Sequence, residues 1–227
     1  MIIARSFLNK TVAVMGLARS GKAAIESLVL GGARVLAWDD DPKMREEISG
    51  VGVEIRDLHD INFKDLDALV LSPGIPHSFP KPHPVAAKAK TSGVPIIGDI
   101  DIFAQNSRNT PVIGVTGTNG KSTTASLIGH LLSHSNISNE VAGNIGRPVL
   151  EISLNPGPDF IVLELSSYQL ELSPSLGCSF AVLLNITPDH LDRHGGMDGY
   201  VRAKRRIFDK LTYDPKIIIG IDDEITR

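Results

Sequence analysis

A single cysteine, Cys178, in a chain of 227 residues excludes an intrachain disulfide framework and suits a reducing compartment. The role expected of it is small buried filler. No apolar run has the length needed to cross a bilayer, and the N-terminus MIIARSFLNK has neither a long apolar segment nor a small-residue cleavage site. A cytoplasmic protein with no membrane partner is therefore expected. Dense Lys/Arg runs are missing and the formal charge is −3, which argues against a nucleic-acid face. The locally basic stretch at 202–206 is expected to be a solvated helix face. Internal repeats and low-complexity segments are also missing.

What remains is an ordinary globular composition, 42% hydrophobic and 22% charged, enough to bury a core and to divide into two domains. Short apolar runs at 11–15, 33–38, 53–55, 68–71 and 95–97 predict strands, and a helical pattern covers 22–30. With Gly31 and Gly32 ending that helix, this is a doubly wound parallel sheet covered on both faces. The polar segment 105–111, closed by Pro111, predicts a linker. A second α/β unit follows, with a strand at 111–113, a helix at 122–132, and strands near 140–142, 160–165 and 180–185. The domains expected are thus 1–104 and 105–227. The run KIIIGIDDEITR at 216–227 reads as a buried strand followed by acidic residues, and a nucleotide-binding sheet of this design is expected to need further covering elements beyond it.

The most specific motif is GVTGTNGKST at 114–123, a strand running into a glycine-rich turn and then a helix. Backbone N–H groups at such a junction point outward and cradle phosphates. Gly117, Thr118, Asn119, Gly120, Lys121, Ser122 and Thr123 are the expected ATP-binding residues, with Lys121 on the β/γ-phosphates and Ser122 on Mg²⁺. The usual spacing would put a glycine where this chain has Val115. Gly16 and Gly21 resemble a dinucleotide fingerprint without its middle glycine, since Ala18 stands there, so either a shifted nucleotide pose or a purely structural turn is open. Ser72, Pro73 and Gly74 follow a strand and can complete a diphosphate cradle with Arg19 and Ser20, although Pro-Gly is first of all a turn signal. Glu164 ends an apolar run and needs a partner there, either a magnesium ion shared with Ser122 or a buried salt bridge. Asp189 and His190 sit on a strand-end loop, as candidates for a second metal or for the acyl substrate. Tyr200 and Lys204 share a helix face by their spacing, and Lys204 by itself reads as solvated.

Taken together, GVTGTNGKSTT, GNIG at 143–146, ELSSYQLE at 164–171, NITPDHLDRH at 185–194 and YVRAK at 200–204 resemble the Mur ligases of peptidoglycan synthesis. The resemblance spans essentially the whole chain. The Glu-Leu-Ser-Ser-x-Gln-Leu form is most similar to the members that join D-glutamate to UDP-N-acetylmuramoyl-L-alanine. The resemblance implies a Rossmann-like UDP-substrate domain at 1–104, an incomplete P-loop ATP-binding domain at 105–227, a further C-terminal domain, and a monomer. It also implies that Lys121 stabilises the transferring phosphate and that Ser122 and Glu164 bind one Mg²⁺, with His190 and a carbamylated Lys204 serving a second. Asn144, Ser166 and Gln169 match positions near the nucleotide or muramoyl substrate, and Ser20, Asp39 and Gly74 match the uridine pocket. Ala18 and Arg19 depart from the common form. The rival readings are another Mur-type amino-acid ligase, a non-catalytic P-loop module, and an oxidoreductase resting on Gly16 and Gly21 alone.

Overall fold

The run TVAVM forms strand β1 (Thr11–Met15), whose side chains alternate between two cores: Val12 and Val14 enter one, Ala13 and Met15 the other. A strand buried on both faces has no room for polar positions, which is why it reads as a continuous apolar run. In the computed structural model, which describes residues 1–48, 52–107 and 110–227, β1 is the centre of a five-stranded sheet. Helix α1 (Arg19–Leu30) follows it and starts three residues before the expected 22, directly after the extended Ala18. Next come β2 (Arg34–Trp38), α2 (Pro42–Glu46), β3 (Glu54–Ile55), β4 (Ala68–Leu71), α3 (Pro84–Thr91), β5 (Ile96–Ile97) and α4 (Asp99–Asn106). The strand order is β3-β2-β1-β4-β5, and every neighbouring pair is parallel. Residues of α1 and α4, among them Ala24, Leu28, Ile100 and Phe103, fill the Val12/Val14 face, and Val85, Ala86 and Ala89 of α3 fill the opposite one. Sequence order reverses on either side of β1, so a crevice opens at the carboxyl ends of β1 and β4.

The second unit is built from β6 (Val112–Thr116), α5 (Lys121–His134), β7 (Asn139–Gly143), β8 (Phe160–Glu164), α6 (Ser167–Glu171), β9 (Cys178–Leu183), α7 (Leu191–His194), α8 (Met197–Arg205) and β10 (Leu211–Ile219). Its parallel order is β10-β9-β6-β8-β7. One core cluster runs from Val12 and Phe103 through Val149 and Leu150 to Ile161 and Leu163, so the two sheets share apolar packing. Cys178 is the inert filler expected, fully buried, with its thiol pushed up to about 12 by desolvation. Among the described residues no helix is long and apolar enough to cross a membrane.

Two expectations change. The segment read as a linker from 105 begins as the last turn of α4: Gln105 donates to Asp101 Oδ2 and Asn106 to the carbonyl of Ile102, both at 2.8 Å. Arg108 and Asn109 lie outside the described residues. The isoleucines read as a buried strand are on the edge strand β10, where Ile217 and Ile218 are 50% and 55% exposed. An apolar run signals a strand but does not say whether a neighbour covers it.

Gly21 is required by a close approach, since a Cβ there would lie 1.9 Å from the carbonyl oxygen of Gly16. Gly21→Ala therefore pushes helix against loop and is expected to cost at least the ~1–3 kcal/mol of overpacking. The check is a lower urea midpoint with an unchanged slope, and an unshifted midpoint would mean that the loop yields freely.

Candidate functional site

The glycine-rich turn lies between β6 and α5. Gly120, at the N-cap of α5, has φ +83°, a left-handed conformation that glycine adopts without steric penalty, and Gly117 has φ +156°. Lys121, Ser122 and Thr123 open the helix, with Ser122 and Thr123 exposed, so their N–H groups are available to an anion. The turn is held from across the sheet. Asn119 N–H donates to Asn185 Oδ1 at 2.9 Å, Asn185 Nδ2 donates to the Asn119 carbonyl at 3.1 Å, and Thr118 N–H donates to the Asn185 carbonyl at 2.9 Å. Thr118 Oγ1 donates to the Thr187 carbonyl at 3.1 Å, accepts from Thr187 N–H at 3.0 Å and lies 3.1 Å from the Tyr200 hydroxyl. Asn185, Thr187 and Tyr200 were not among the expected site residues. They are 66, 69 and 82 positions from their partners, too far for any local pattern to reveal.

Glu164 ends β8 beside the turn, paired in register with Val115, and is 1% exposed. Its Oε1 accepts from Asn144 Nδ2 at 2.9 Å, while Oε2 is buried without a partner. Among the described residues no cation pairs with it, so the salt-bridge alternative fails. A buried carboxylate oxygen with no donor is costly unless a cation completes it, which fits a hard divalent ion bound through oxygen. Asn144 is itself fixed by its N–H bond to the Glu164 carbonyl at 2.9 Å.

Lys204 corrects its sequence reading. It is 1% exposed, not solvated, and its Nζ donates to the carbonyl of Gly117 at 2.6 Å and lies 4.6 Å from the Tyr200 ring centre. Burial first, and the nearby Lys121 second, lower its pKa to about 7, with Asp189 opposing. Lys121 Nζ donates to the Thr118 carbonyl at 2.8 Å. His190 has an exposed side chain, 3.4 Å from Asp189 and with the Tyr168 ring 5.2 Å away. His194, for which the sequence made no case, is buried: Nε2 meets Ser167 Oγ at 2.9 Å and Nδ1 is 3.3 Å from Glu171 Oε1. It stacks on Tyr168 at 5.2 Å, so it fixes the ring that faces His190.

A cavity of about 660 Å³ opens at the β1/β4 crevice and extends to the second unit. Arg19, Ser20, Asp39, Ser72, Gly74, Asn144 and Gln169 line it together. Several of these carry structural duties as well. The Asp39 carboxylate accepts from Leu17 N–H at 2.7 Å and Asp41 N–H at 3.0 Å, Ser72 Oγ donates to the Gly16 carbonyl at 3.0 Å, and Arg19 reaches the Gly146 carbonyl at 2.7 Å. Arg193 donates to the Gly74 carbonyl at 3.0 Å, a second tie between the units. Ser166 caps α6 and forms a capping box with Gln169, with Ser166 Oγ accepting from Gln169 N–H at 3.2 Å and Gln169 Oε1 accepting from Ser166 N–H at 3.1 Å.

Curated proteins are similar to this chain over nearly its whole length. The chain is 49% identical over 229 residues to the UDP-N-acetylmuramoylalanine–D-glutamate ligase of Caulobacter sp. (strain K31), covering 98% of this chain and 49% of that protein. It is 47% identical to the enzyme of the same name from Paramagnetospirillum magneticum, covering 95% of this chain and 47% of the other. The chain thus spans about half the length of the curated relatives it matches. The fold is shared with UDP-N-acetylmuramate:L-alanyl-γ-D-glutamyl-meso-diaminopimelate ligase of Neisseria meningitides, at TM-score 0.59 and 18% identity, over 96% of this chain and 73% of that one. It is also shared with UDP-N-acetylmuramate-alanine ligase of Thermotoga maritima, at TM-score 0.54 and 20% identity, over 96% of this chain and 50% of that one. Residues 115–227 match the Mur ligase middle domain, and the chain belongs to the Mur ligase family.

Proposed function

We propose that the intact protein is an ATP-dependent ligase that joins D-glutamate to UDP-N-acetylmuramoyl-L-alanine in the cytoplasm, acting as a monomer. The substrate class rests on the names of relatives 45–49% identical to this chain. The single structural observation that carries the chemistry is the partnerless Oε2 of buried Glu164 beside the glycine-rich turn. In this reading residues 1–104 hold the uridine substrate in the 660 Å³ cavity and residues 105–227 hold ATP.

The reaction is amide formation through an acyl phosphate: the substrate carboxylate takes the γ-phosphoryl group of ATP, and the amine of D-glutamate then displaces phosphate. N–H groups from Gly120 to Thr123 cradle the phosphate chain, those of Thr118 and Asn119 being taken by Asn185, and Lys121 neutralises charge on the phosphoryl oxygens. Ser122 and Glu164 would hold one Mg²⁺ and His190 with a carbamylated Lys204 a second, supplying charge neutralisation and orientation of the phosphates. Asn144 donates to Glu164 and lines the cavity, which supports a role between nucleotide and substrate. Arg19, Ser20, Asp39, Ser72 and Gly74 serve the uridine nucleotide, while Ser166 and Gln169 shape the turn beside it.

Phosphate release by the intact protein with ATP and UDP-N-acetylmuramoyl-L-alanine, screened across L- and D-amino acids, tests this directly. Release that depends on D-glutamate is expected. Dependence on another amino acid would move the protein to a different ligase of the family, and release independent of any amino acid would favour a phosphate-loop hydrolase.

A further inference from the structure

Three residues far apart in sequence meet outside the phosphate-loop site, two of them, Asp40 and His83, lining the cavity. Asp40 follows β2, His59 follows β3, and His83 is the N-cap of α3. One ligand atom from each lies within 4.8 Å of the other two. His83 Nε2 is 2.9 Å from Asp40 Oδ2, and the two imidazole rings are 5.6 Å apart. A second carboxylate stands behind His59: Asp57 Oδ1 accepts from its Nδ1 at 2.7 Å and from its backbone N–H at 2.9 Å. That bond fixes the proton on Nδ1 and leaves Nε2 as the free lone pair, the arrangement found behind metal-ligating histidines.

We propose that Asp40, His59 and His83 form a binding site for a zinc-class divalent cation, separate from the oxygen-rich Mg²⁺ positions at the phosphate loop. Two imidazole nitrogens and one carboxylate suit a borderline first-row ion and suit magnesium poorly. Tetrahedral bonds of about 2.0–2.1 Å separate ligand atoms by roughly 3.4 Å, so the three atoms must close by at most about 1.4 Å. Side-chain rotation can supply that, since the Asp40 and His59 side chains are 57% and 35% exposed. His83 has two bonds to give up, because its Nε2 proton, shared with Asp40 Oδ2, must pass to Nδ1, which accepts from Val85 N–H at a long 3.3 Å. The neighbouring cations point elsewhere: Lys88 donates to the His59 carbonyl and Arg45 to the carbonyls of Asp39 and Asp40. They lower the affinity for a cation without occupying the ligand atoms.

The test is calorimetric titration of the chelator-treated chain with Zn²⁺, with Co²⁺ as a spectroscopic probe of imidazole coordination. The expected result is one saturable equivalent that is lost in His59→Ala and in His83→Asn, the latter chosen because asparagine also caps a helix. Asp57→Asn, which leaves all three ligands in place, should weaken the site by about 10–100-fold. The exposed His130 and His134 on α5, with rings 6.3 Å apart, are the competing place for the ion. His130→Ala should leave the tight equivalent intact. Binding that disappears in His130→Ala, survives in His59→Ala and His83→Asn, or is not seen at all would overturn the proposal. Circular dichroism of each variant keeps loss of binding separate from loss of fold.

Discussion

Replacing Lys121 by alanine is expected to lower turnover of the intact protein by about 10²–10³ while the unfolding midpoint stays close to that of the unmodified protein. Without nucleotide, the Nζ makes one bond, to the Thr118 carbonyl, and such a bond contributes only about 0.5–1.5 kcal/mol. The turn keeps its other ties, to Asn185, Thr187 and Tyr200, so its shape should survive. In the proposed reaction what would be lost is a positive charge that neutralises phosphoryl oxygens, whose charge shifts most at the transition state. The effect should therefore fall mainly on kcat, with a smaller change in ATP affinity measured by calorimetry. Unchanged turnover would remove the phosphate-loop assignment, and an equal loss in affinity and kcat/KM with kcat intact would make Lys121 a binding residue only.

The parts of this molecule that were legible in the sequence are those set by local periodicity. Strands β1, β2 and β4 and helix α5 follow from apolar runs and helical spacing, and the glycine turn follows from a pattern confined to ten residues. What stayed hidden depends on contacts across long stretches of chain. Lys204 reads as solvated because lysine seldom pays its desolvation cost, yet its carbonyl partner on Gly117 is 87 positions away. His194 looks ordinary in the sequence because Ser167 and Glu171 of α6 approach it, at the end of α7, only once α6 and α7 both pack against α8. Asp39 lines the cavity, but the sequence did not reveal that its carboxylate is taken up by the N–H groups of Leu17 and Asp41. Burial of β10 was misjudged for the complementary reason, since hydrophobicity indicates what a face prefers and not whether another element covers it.

Lys204→Ala is expected to abolish the proposed ligase activity of the intact protein and to regain part of it in short carboxylates such as formate or acetate. The buried Nζ, with its pKa lowered to about 7, is largely an unprotonated amine in mildly alkaline solution and a competent nucleophile for CO₂. In the proposed reaction its lone pair would form the N–C bond and one proton would leave, giving a carbamate anion that could serve a metal, which bare lysine cannot do. A free carboxylate can occupy the cavity left by alanine, but a purely structural lysine would show no such rescue. Labelling with ¹³CO₂ should give a carbamate carbonyl resonance in the unmodified protein that is missing from the variant. Stability supplies a second check. Below about pH 7 both folded and unfolded states carry the proton and the cost of burying the ammonium is felt in full. Between about 7 and the ordinary 10.5 only the unfolded state binds it, so the contribution of Lys204 to stability rises with pH across that window. Lys204→Met, which keeps the volume and removes the charge, should flatten that rise and be most stabilising at the acid end, on the order of a few kcal/mol. Identical pH dependence in the two proteins, with no carbamate signal and no carboxylate rescue, would leave Lys204 an ordinary ammonium bonded to the Gly117 carbonyl.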